Sequence, residues 1–410
     1  VILNTWEAVY FDQDLDKLKA LADRGAEVGA ERFVLDDGWF GGRRDDTSSL
    51  GDWTVSAEVW PEGLGPLIEH VHSLGMEFGL WVEPEMVNLD SDLARAHPEW
   101  LFSAGGRVGR PSRHQHVLDL GHPGAYEHVR SHLDALLSTY DIAYLKWDHN
   151  RYLNDAGHAP GGEPGVHAHT LAVYRLMDEL RAAHPDLEIE ACSAGGGRVD
   201  LGVLEHTQRV WASDCIDPLE RQQIQRWTQL LLPPELVGTH VGSPRAHTTH
   251  RRHDLQFRAG TAIWGHMGIE WDLTRASEEE RAELAEWVRL HKELRPLLHG
   301  GTVVNADHPD DAIWVNGVVS AARDEAVYGV VCVHRPVTWP PGMLRLPGLD
   351  PDRRYRVAML SPGSDEHALV GRPAWTRHGL TATGRALATA GLQIPPLHAE
   401  HLVLVRLTPA

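Results

Sequence analysis

The feature that most constrains the fold is the alternation of short apolar runs with helical patterns over the first three-quarters of the chain. Short apolar runs rich in β-branched and aromatic residues predict strands. Eight such runs occur, at residues 2–7, 32–36, 77–82, 144–147, 188–191, 210–213, 238–241 and 261–267. Strands that alternate with helices favour a parallel sheet. Eight of them are typical of a TIM (β/α)8 barrel, which takes about 250 residues.

Helical spacing of apolar residues separates the predicted strands. It predicts helices at residues 15–26, 129–140 and 171–180, and a fourth at 277–290 that begins after Ser277. Ser277 is a favourable N-cap residue, and the acidic residues after it suit the positive end of a helix dipole.

The pattern changes near Gly300. Segments 312–320, 326–333, 354–360 and 401–407 are short, rich in β-formers and separated by Pro, Gly and Asp. They predict an antiparallel β-sandwich domain at residues 301–410, after a catalytic barrel at residues 1–300.

Charge and composition exclude several classes of partner. The net charge of −20 argues against nucleic acid, because such binding depends on Lys and Arg that neutralise phosphates. No apolar run approaches the ~20 residues of a membrane helix. The three cysteines and the lack of a signal-peptide pattern favour a cytoplasmic location. The chain begins without Met, inside a predicted strand, so we expect it to be part of a longer protein.

Carboxylates follow the predicted strands. They are Asp36 and Asp37 after the second strand, Glu83 and Glu85 after the third, Asp148 after the fourth, and Asp214 and Asp217 after the sixth. A barrel collects the carboxyl ends of its strands at one face, where active sites lie. Several carboxylates on one rim repel one another, which indicates a chemical task.

Paired carboxylates near Trp side chains indicate sugar chemistry. One carboxylate attacks the anomeric carbon and the other protonates the leaving oxygen, while Trp offers an apolar face to the sugar ring. Lys146 lies two residues before Asp148, so both side chains face the same way on a strand, and the cation keeps Asp148 ionised.

Two other patterns have some features of a cofactor site. The Gly run 195–197 lacks the spacing of a nucleotide-binding loop. His247, His250 and His253 have metal-like spacing, but the Arg residues between them disfavour a cation. The sequence therefore predicts no metal and no cofactor.

The motifs, in order, resemble one family. They are NTWEAVYFD, FVLDDGWFGGR, GDW, WPEGL, GLWVEPEMVN, KWDHNR, CSAGGGRVD and SDCIDPLER, spread over about 270 residues. Together they resemble the α-galactosidases of glycoside hydrolase family 36. The resemblance implies a retaining hydrolase that removes terminal α-linked galactose from melibiose- and raffinose-type oligosaccharides by double displacement.

The resemblance also implies roles for individual residues. Asp148 corresponds to the nucleophile and Asp214 to the acid/base. The substrate-binding positions correspond to Trp6, Asp36, Asp37, Trp81, Arg113, Lys146, Asn150, Cys192, Gly195 and Trp211. The pair Asp36 and Asp37 is expected to hold the O4/O6 side of galactose, and Cys192 and Gly195 are expected near O2.

Alternatives stay open at this point. The same machinery serves α-N-acetylgalactosaminidases and galactosyl transferases, and a non-catalytic sugar-binding module is another possibility. His149, Ala194, Cys215 and Ile216 depart from residues common in the family. Full-length bacterial members carry an N-terminal β-sandwich that helps build tetramers, so the resemblance also implies a possible homo-oligomer.

Overall fold

The computed structural model describes residues 1–159, 161–364 and 371–410. Eight parallel strands close into a barrel in sequential order, each paired with the next and the last paired with the first. They are β1 (Ile2–Asn4), β2 (Arg32–Leu35), β3 (Glu77–Val82), β4 (Tyr144–Trp147), β5 (Glu188–Ala191), β6 (Arg209–Trp211), β7 (Val237–Gly242) and β8 (His266–Glu270). The predicted TIM barrel is confirmed.

A helix follows each barrel strand. They are α1 (Leu15–Glu27), α2 (Gly65–Ser73), α3 (Pro123–Thr139), α4 (Val166–Ala183), α5 (Leu201–Leu204), α6 (Pro218–Thr228), α7 (Leu255–Ala262) and α8 (Glu278–Gly300). Helix α1 begins where the Asp14 side chain accepts a hydrogen bond from the backbone N–H of Lys17, 3.0 Å away. Its apolar stripe, which includes Leu18 and Leu21, is buried.

The predicted eighth strand at 261–267 is wrong. Asp254 caps helix α7 by accepting a hydrogen bond from the Phe257 backbone N–H at 2.8 Å, so residues up to Ala262 are helical. Strand β8 begins only at His266. A short apolar run such as TAIW fits a buried helix as well as a buried strand, and here the cap decides.

The first strand is also shorter than predicted. It ends at Asn4, and Trp6 and Glu7 belong to a helix of one turn, Trp6–Val9. By contrast, helix α8 extends ten residues beyond the predicted 277–290. Ser277 caps it in a reciprocal arrangement with Glu280, as a capping box requires.

A six-stranded antiparallel sheet forms near the C-terminus. Its strands are β9 (Thr302–Ala306), β10 (Ile313–Val319), β11 (Ala326–Cys332), β12 (Arg354–Ser364), β13 (Leu380–Thr383) and β14 (His401–Pro409), in the order β9-β10-β11-β14-β12-β13. A two-stranded sheet, Met343–Leu344 with Leu392–Gln393, shares its apolar core. Leu344 and Leu392 lie in one cluster with Val330 and Val357.

Smaller elements complete the described chain. Two-residue and three-residue strands pair as Met86–Asn88 with Gln115–Val117, Ser103–Ala104 with Arg107–Val108, and Gly157–His158 with Glu163–Pro164. Short helices occupy Asp92–Ala96, Pro98–Trp100, Pro234–Leu236, Trp375–His378 and Gly384–Thr389. Among the described helices, none combines the length and apolar character that a membrane span requires.

The chain divides into two compact units. The first comprises residues 1–214 with 268–276, and the second comprises residues 215–267 with 277–410. All twelve residues predicted for the site belong to the first unit. The domain boundary predicted near residue 300 stays a prediction.

Candidate active site

A pocket opens where the barrel strands end. Its lining residues are Trp6, Asp36, Asp37, Arg43, Trp81, Glu83, Arg113, Gln115, Lys146, Asp148, Asn150 and Asp214. We call it the strand-end pocket. Nine of these residues were predicted as site residues from the sequence. The other three predicted residues, Cys192, Gly195 and Trp211, lie outside this lining and next to Asp148 or Asp214, as described below.

Asp148 is held by hydrogen bonds to both carboxylate oxygens. The side-chain amide of Asn150 donates to Oδ2 at 2.6 Å, and the indole N–H of Trp81 donates to the same oxygen at 3.2 Å. The backbone N–H of His149 donates to Oδ1 at 2.8 Å. Such bonds favour the charged form of a carboxyl.

The charge state of Asp148 follows from these contacts. Burial opposes ionisation, but the Lys146 ammonium and the Asn150 amide hold the pKa of Asp148 below its usual range. Burial and the charge of Asp148 raise the pKa of the Cys192 thiol well above its usual range. Cys192 therefore stays a thiol and hydrogen-bonds the Asp148 carboxylate. Asp148 is an anion with a fixed orientation.

Asp214 has the opposite environment. Burial and the negative charge of Asp148 raise the pKa of Asp214 to about 6. The indole N–H of Trp211 donates to its Oδ1 at 3.0 Å. Two carboxyl groups whose pKa values are pushed apart in one pocket can divide the roles of anion and proton donor.

Gly195 packs against the backbone that carries Asp214. Its φ of +80° lies in the left-handed region. A Cβ atom at this position would lie 2.7 Å from the Asp214 backbone nitrogen and 2.8 Å from Ser213 Cα. The glycine therefore permits a close approach that places Asp214 at the pocket.

Each aspartate of the DDG motif has its own cation. Lys146 Nζ donates to Asp36 Oδ2 at 2.7 Å. Burial disfavours the ammonium, but the carboxylates of Asp36 and Glu270 raise the pKa of Lys146 well above its usual range. Arg43 binds Asp37 through Nε at 3.0 Å and Nη2 at 2.8 Å. The side chains of both Asp residues are thus held in fixed orientations at the pocket wall.

Arg113 reaches the pocket from a loop and donates from Nη1 to Asn150 Oδ1 at 2.6 Å. Its φ of +50° and the φ of +59° at His114 are both in the left-handed region, which is unusual for residues with a Cβ. Such backbone conformations cluster at functional sites.

Two aromatic side chains, Trp6 and Trp81, line the pocket. The Trp81 ring stacks on Phe40, with centroids 6.3 Å apart and an angle of 9° between the planes. Trp6 lies on the short helix after β1 and meets Tyr10 and Phe11 edge to face, each at 5.2 Å. Both indoles were predicted to contact a sugar.

Three lining residues were absent from the predicted site. Glu83 was recognised as a strand-end carboxylate, but without a role. Arg43 ends the FVLDDGWFGGR motif, so its place beside the Asp pair was a usable signal. No sequence pattern indicated Gln115 as a site residue. It reaches the pocket because its strand pairs with the strand that contains Asn88, and the sequence does not predict that pairing.

Two strand-end carboxylates have other partners. Glu85 accepts hydrogen bonds from Arg198 Nη1 at 2.8 Å and Trp147 Nε1 at 2.9 Å, outside the lining of the strand-end pocket. Asp217 caps helix α6 and accepts from the backbone N–H groups of Leu219 and Glu220. These contacts are structural.

In the histidine-rich segment HTTHRRH, His253 contacts a carboxylate. His253 Nε2 lies 2.9 Å from a carboxylate oxygen of Glu400. Over residues 1–159, 161–364 and 371–410, no group of three or more His, Cys, Asp or Glu side chains is arranged as a set of metal ligands.

Comparisons with known families cover almost the whole chain. Residues 1–301 match the Melibiase family, and residues 313–405 match the C-terminal domain of glycosyl hydrolase family 36. An α-galactosidase of Escherichia coli is 44% identical over 99% of this chain and 58% of its own length. The α-galactosidase AgaA of Geobacillus stearothermophilus is 37% identical over 90% of this chain and 52% of its own length.

Solved structures give the same relationship. AgaA superposes with a TM-score of 0.91 and 34% identity over 100% of this chain and 55% of that structure. The galactosidase domain of the α-galactosidase–sucrose kinase AgaSK has a TM-score of 0.90 and 35% identity over 100% of this chain and 54% of that structure. The chain spans a little over half the length of these relatives. It belongs to the α-galactosidases of glycoside hydrolase family 36.

Proposed function

We propose that this chain carries the catalytic site of a retaining α-galactosidase that releases terminal α-linked galactose from melibiose- and raffinose-type oligosaccharides. The observation that carries the proposal is the pairing, in one pocket, of the anion Asp148 with Asp214, whose pKa is raised to about 6. A nucleophile must be ionised and a general acid must hold a proton near the working pH. This pair meets both needs.

The substrate class is supported by the relatives. Variants of AgaA have been solved in complex with raffinose and with stachyose, and each is 34% identical to this chain with a TM-score of 0.91. Raffinose-type sugars end in an α-linked galactose, the group that the strand-end pocket would take.

The reaction would proceed in two displacements. Asp214 donates its proton to the glycosidic oxygen while Asp148 attacks C1 from the opposite face, and a β-linked galactosyl ester forms. Asp214, now a carboxylate, then takes a proton from water as the water attacks C1 and displaces Asp148. The galactose released is the α-anomer.

Asp36 and Asp37 would bind galactose hydroxyls. Burial raises the pKa of Asp36 and of Asp37, and the charges of Lys146 and Arg43 oppose that rise. Oxygens of both carboxyls can accept hydrogen bonds from the axial 4-hydroxyl and from the 6-hydroxyl. A glucoside, whose 4-hydroxyl is equatorial, would leave one of these buried acceptors without a partner, and that is costly.

The test of the proposal is galactose release from melibiose and raffinose by the 410-residue chain, alongside p-nitrophenyl α-galactoside and its 2-acetamido analogue. Hydrolysis of the galactoside but not of the analogue supports the proposal. Preference for the analogue would indicate an α-N-acetylgalactosaminidase. Transfer products in place of free galactose would indicate a transferase, and binding without turnover would indicate a sugar-binding module.

The pH profile of kcat/KM should be bell-shaped, with a basic limb centred near pH 6. Activity is lost as the pH rises through this value because Asp214, whose pKa is raised to about 6, loses the proton it must donate. The acidic limb should lie below the range usual for Asp, since the pKa of Asp148 is lowered. Initial rates from about pH 2 to about pH 9 check both limbs. A rate that climbs through pH 6 to a plateau would contradict this assignment.

Gly195→Ala should lower kcat/KM by about tenfold or more, because displacing reacting groups by about 1 Å costs this much or more. The added Cβ would press on the Asp214 backbone nitrogen. Gly75→Ala is a matched control, since Gly75 has the same φ of +80° and open space within 4 Å of its Cβ position.

Gly195→Ala should be the less stable of the two alanine variants, because its Cβ would overlap backbone atoms at 2.7 and 2.8 Å. Both variants should share a loss of about 1–2 kcal/mol of unfolding free energy, the cost of the left-handed conformation for a residue with a Cβ. Thermal unfolding measures this shared loss. Only Gly195→Ala should also lose activity. Equal activity in the two variants would show that the contact with Asp214 is unimportant.

The oligomeric state and the cellular location stay predictions. A homo-oligomer is predicted from the family resemblance, and analytical ultracentrifugation would test it. The cytoplasmic location rests on the three cysteines, Cys192, Cys215 and Cys332, none of which forms a disulfide.

A further inference from the structure

Glu83 is a buried carboxyl in the strand-end pocket that the reaction above does not use. It follows strand β3 directly and is 0% exposed. Its Oε1 accepts a hydrogen bond from the backbone N–H of Asn150 at 2.6 Å, and its Oε2 lies 3.1 Å from Gln115 Nε2. Glu83 therefore links strand β3 to the segment that follows β4.

Asn150 connects Glu83 to the nucleophile. Its amide nitrogen donates to Asp148 Oδ2 at 2.6 Å, and its amide oxygen accepts from Arg113 at 2.6 Å. These two bonds orient the side chain of Asn150, whereas the bond to Glu83 fixes its backbone. Loss of Glu83 would free the residue that orients Asp148.

The charges around Glu83 disfavour a carboxylate. Asp148 and Asp37 are the acidic groups that act on it, and Arg43 is the main cation. Arg43 is already bound to Asp37 through two nitrogens. Burial, followed by the charge of Asp148, raises the pKa of Glu83 well above its usual range. A neutral acid is the form that these surroundings favour.

Gln115 offers a partner for the acid proton. In the described residues its Oε1 is buried without a hydrogen-bond partner, while Nε2 faces Glu83. The two ends of a Gln side chain are assigned from the hydrogen-bond network, and turning the amide exchanges them. Either orientation leaves one amide atom unpaired, but the turned one lets protonated Glu83 donate to the Gln115 oxygen.

We propose that Glu83 is a neutral carboxylic acid that acts as a positioning residue, holding the Asn150 backbone, and through it Asp148, without placing a second negative charge beside the nucleophile. The expected effect of Glu83 on turnover rests on the proposed α-galactosidase activity. The protonation state of Glu83 does not depend on that activity.

The test compares three variants of the 410-residue chain with p-nitrophenyl α-galactoside. Glu83→Gln keeps an acceptor for Asn150 and a donor for Gln115, so kcat should stay within about threefold of the parent. Glu83→Ala should lower kcat by about 10- to 100-fold, because the nucleophile is displaced. Glu83→Asp withdraws the carboxyl by one methylene and should lose activity similarly, which keeps the test intact if the Ala variant does not fold.

An infrared difference spectrum between the parent and Glu83→Gln reads the protonation state directly. It is recorded near pH 7.5, where Asp214 has lost its proton and cannot contribute. The parent should show the carbonyl stretch of a protonated carboxylic acid, and Glu83→Gln should lack it. This readout holds even if the chain fails to hydrolyse α-galactosides, so failure of the proposed function is distinguishable from failure of this inference.

Three results would overturn the inference. Carboxylate bands in the difference spectrum would show that Glu83 is charged. A loss in Glu83→Gln as large as that in Glu83→Ala would show that the charge is required. Near-parent kcat in both Glu83→Ala and Glu83→Asp would show that Glu83 does not position the nucleophile.

Discussion

Replacing Asp148 by Ala is expected to lower kcat/KM for p-nitrophenyl α-galactoside by about 10⁴-fold or more, as the loss of a nucleophile does in other covalent mechanisms. No other group in the proposed mechanism forms the bond to C1. Asp148 accepts hydrogen bonds from Asn150, Trp81 and the His149 backbone, so its removal also unpairs these donors. Circular dichroism and thermal unfolding should accompany the rates, to separate lost chemistry from lost structure.

Azide distinguishes a missing nucleophile from a damaged fold. In Asp148→Ala, azide can enter the space left by the carboxylate and attack C1 from the same face. The product should be β-galactosyl azide, identified by NMR, with partial recovery of the rate. Asp141→Ala is the control, since the side chain of Asp141 is 84% exposed, and its rate should match that of the parent. A near-parent rate in Asp148→Ala would refute the assignment.

Replacing Asp214 by Ala is the second large effect, and its size should depend on the leaving group. With raffinose the loss should be about 10²- to 10⁴-fold, the usual contribution of a general acid or base. With α-galactosyl fluoride, whose leaving group needs little protonation, formation of the galactosyl intermediate should be much less impaired. Rates of Asp214→Ala and of the parent, measured side by side with raffinose and with the fluoride, give the two losses.

The product with azide again identifies the role. In Asp214→Ala the nucleophile is intact, so azide attacks the galactosyl intermediate from the α face and gives α-galactosyl azide. The two aspartate variants should therefore yield opposite anomers. The same anomer from both, or equal losses with raffinose and the fluoride in Asp214→Ala, would contradict the division of roles.

The sequence predicted most of the barrel because its strands are short apolar runs with clear ends. Five of the eight predicted strands coincide with a barrel strand over most of their length, and two more overlap one over half of it. The C-terminal segments 312–320, 326–333, 354–360 and 401–407 all contain strands. The eighth strand was misplaced because the hydrogen bond between Asp254 and the Phe257 backbone extends a helix into an apolar segment. The apolar pattern of this segment allows both a helix and a strand, so the three-dimensional structure decides between them.

The site was predicted as a set of residues, but its internal pairing was not. The carboxylates at strand ends and the motif order indicated Asp36, Asp37, Lys146, Asp148 and Asp214. That Lys146 binds Asp36, 110 positions away, depends on strands β2 and β4 both pairing with β3. Pairing between strands that are distant in sequence leaves no periodic signal, and for the same reason Gln115 was missed.

Structure also separates carboxylates that look alike in sequence. Asp214 and Asp217 both follow strand β6, yet Asp217 accepts two backbone hydrogen bonds at the start of a helix. Asp214 instead lines the pocket beside the charge of Asp148. The motif resemblance had favoured Asp214, and the geometry supplies a physical reason for that choice.

In the proposed mechanism, Asp148 forms the bond to galactose while Asp214 serves as acid and then base. The most direct measurement traps the intermediate in Asp214→Ala, where its hydrolysis lacks a base. The variant is incubated with α-galactosyl fluoride, quenched in acid, digested and analysed by mass spectrometry. The account predicts one galactosyl group on the peptide that contains Asp148. A galactosyl group on any other carboxylate, or no adduct together with β-galactose as the first product of the parent, would contradict it.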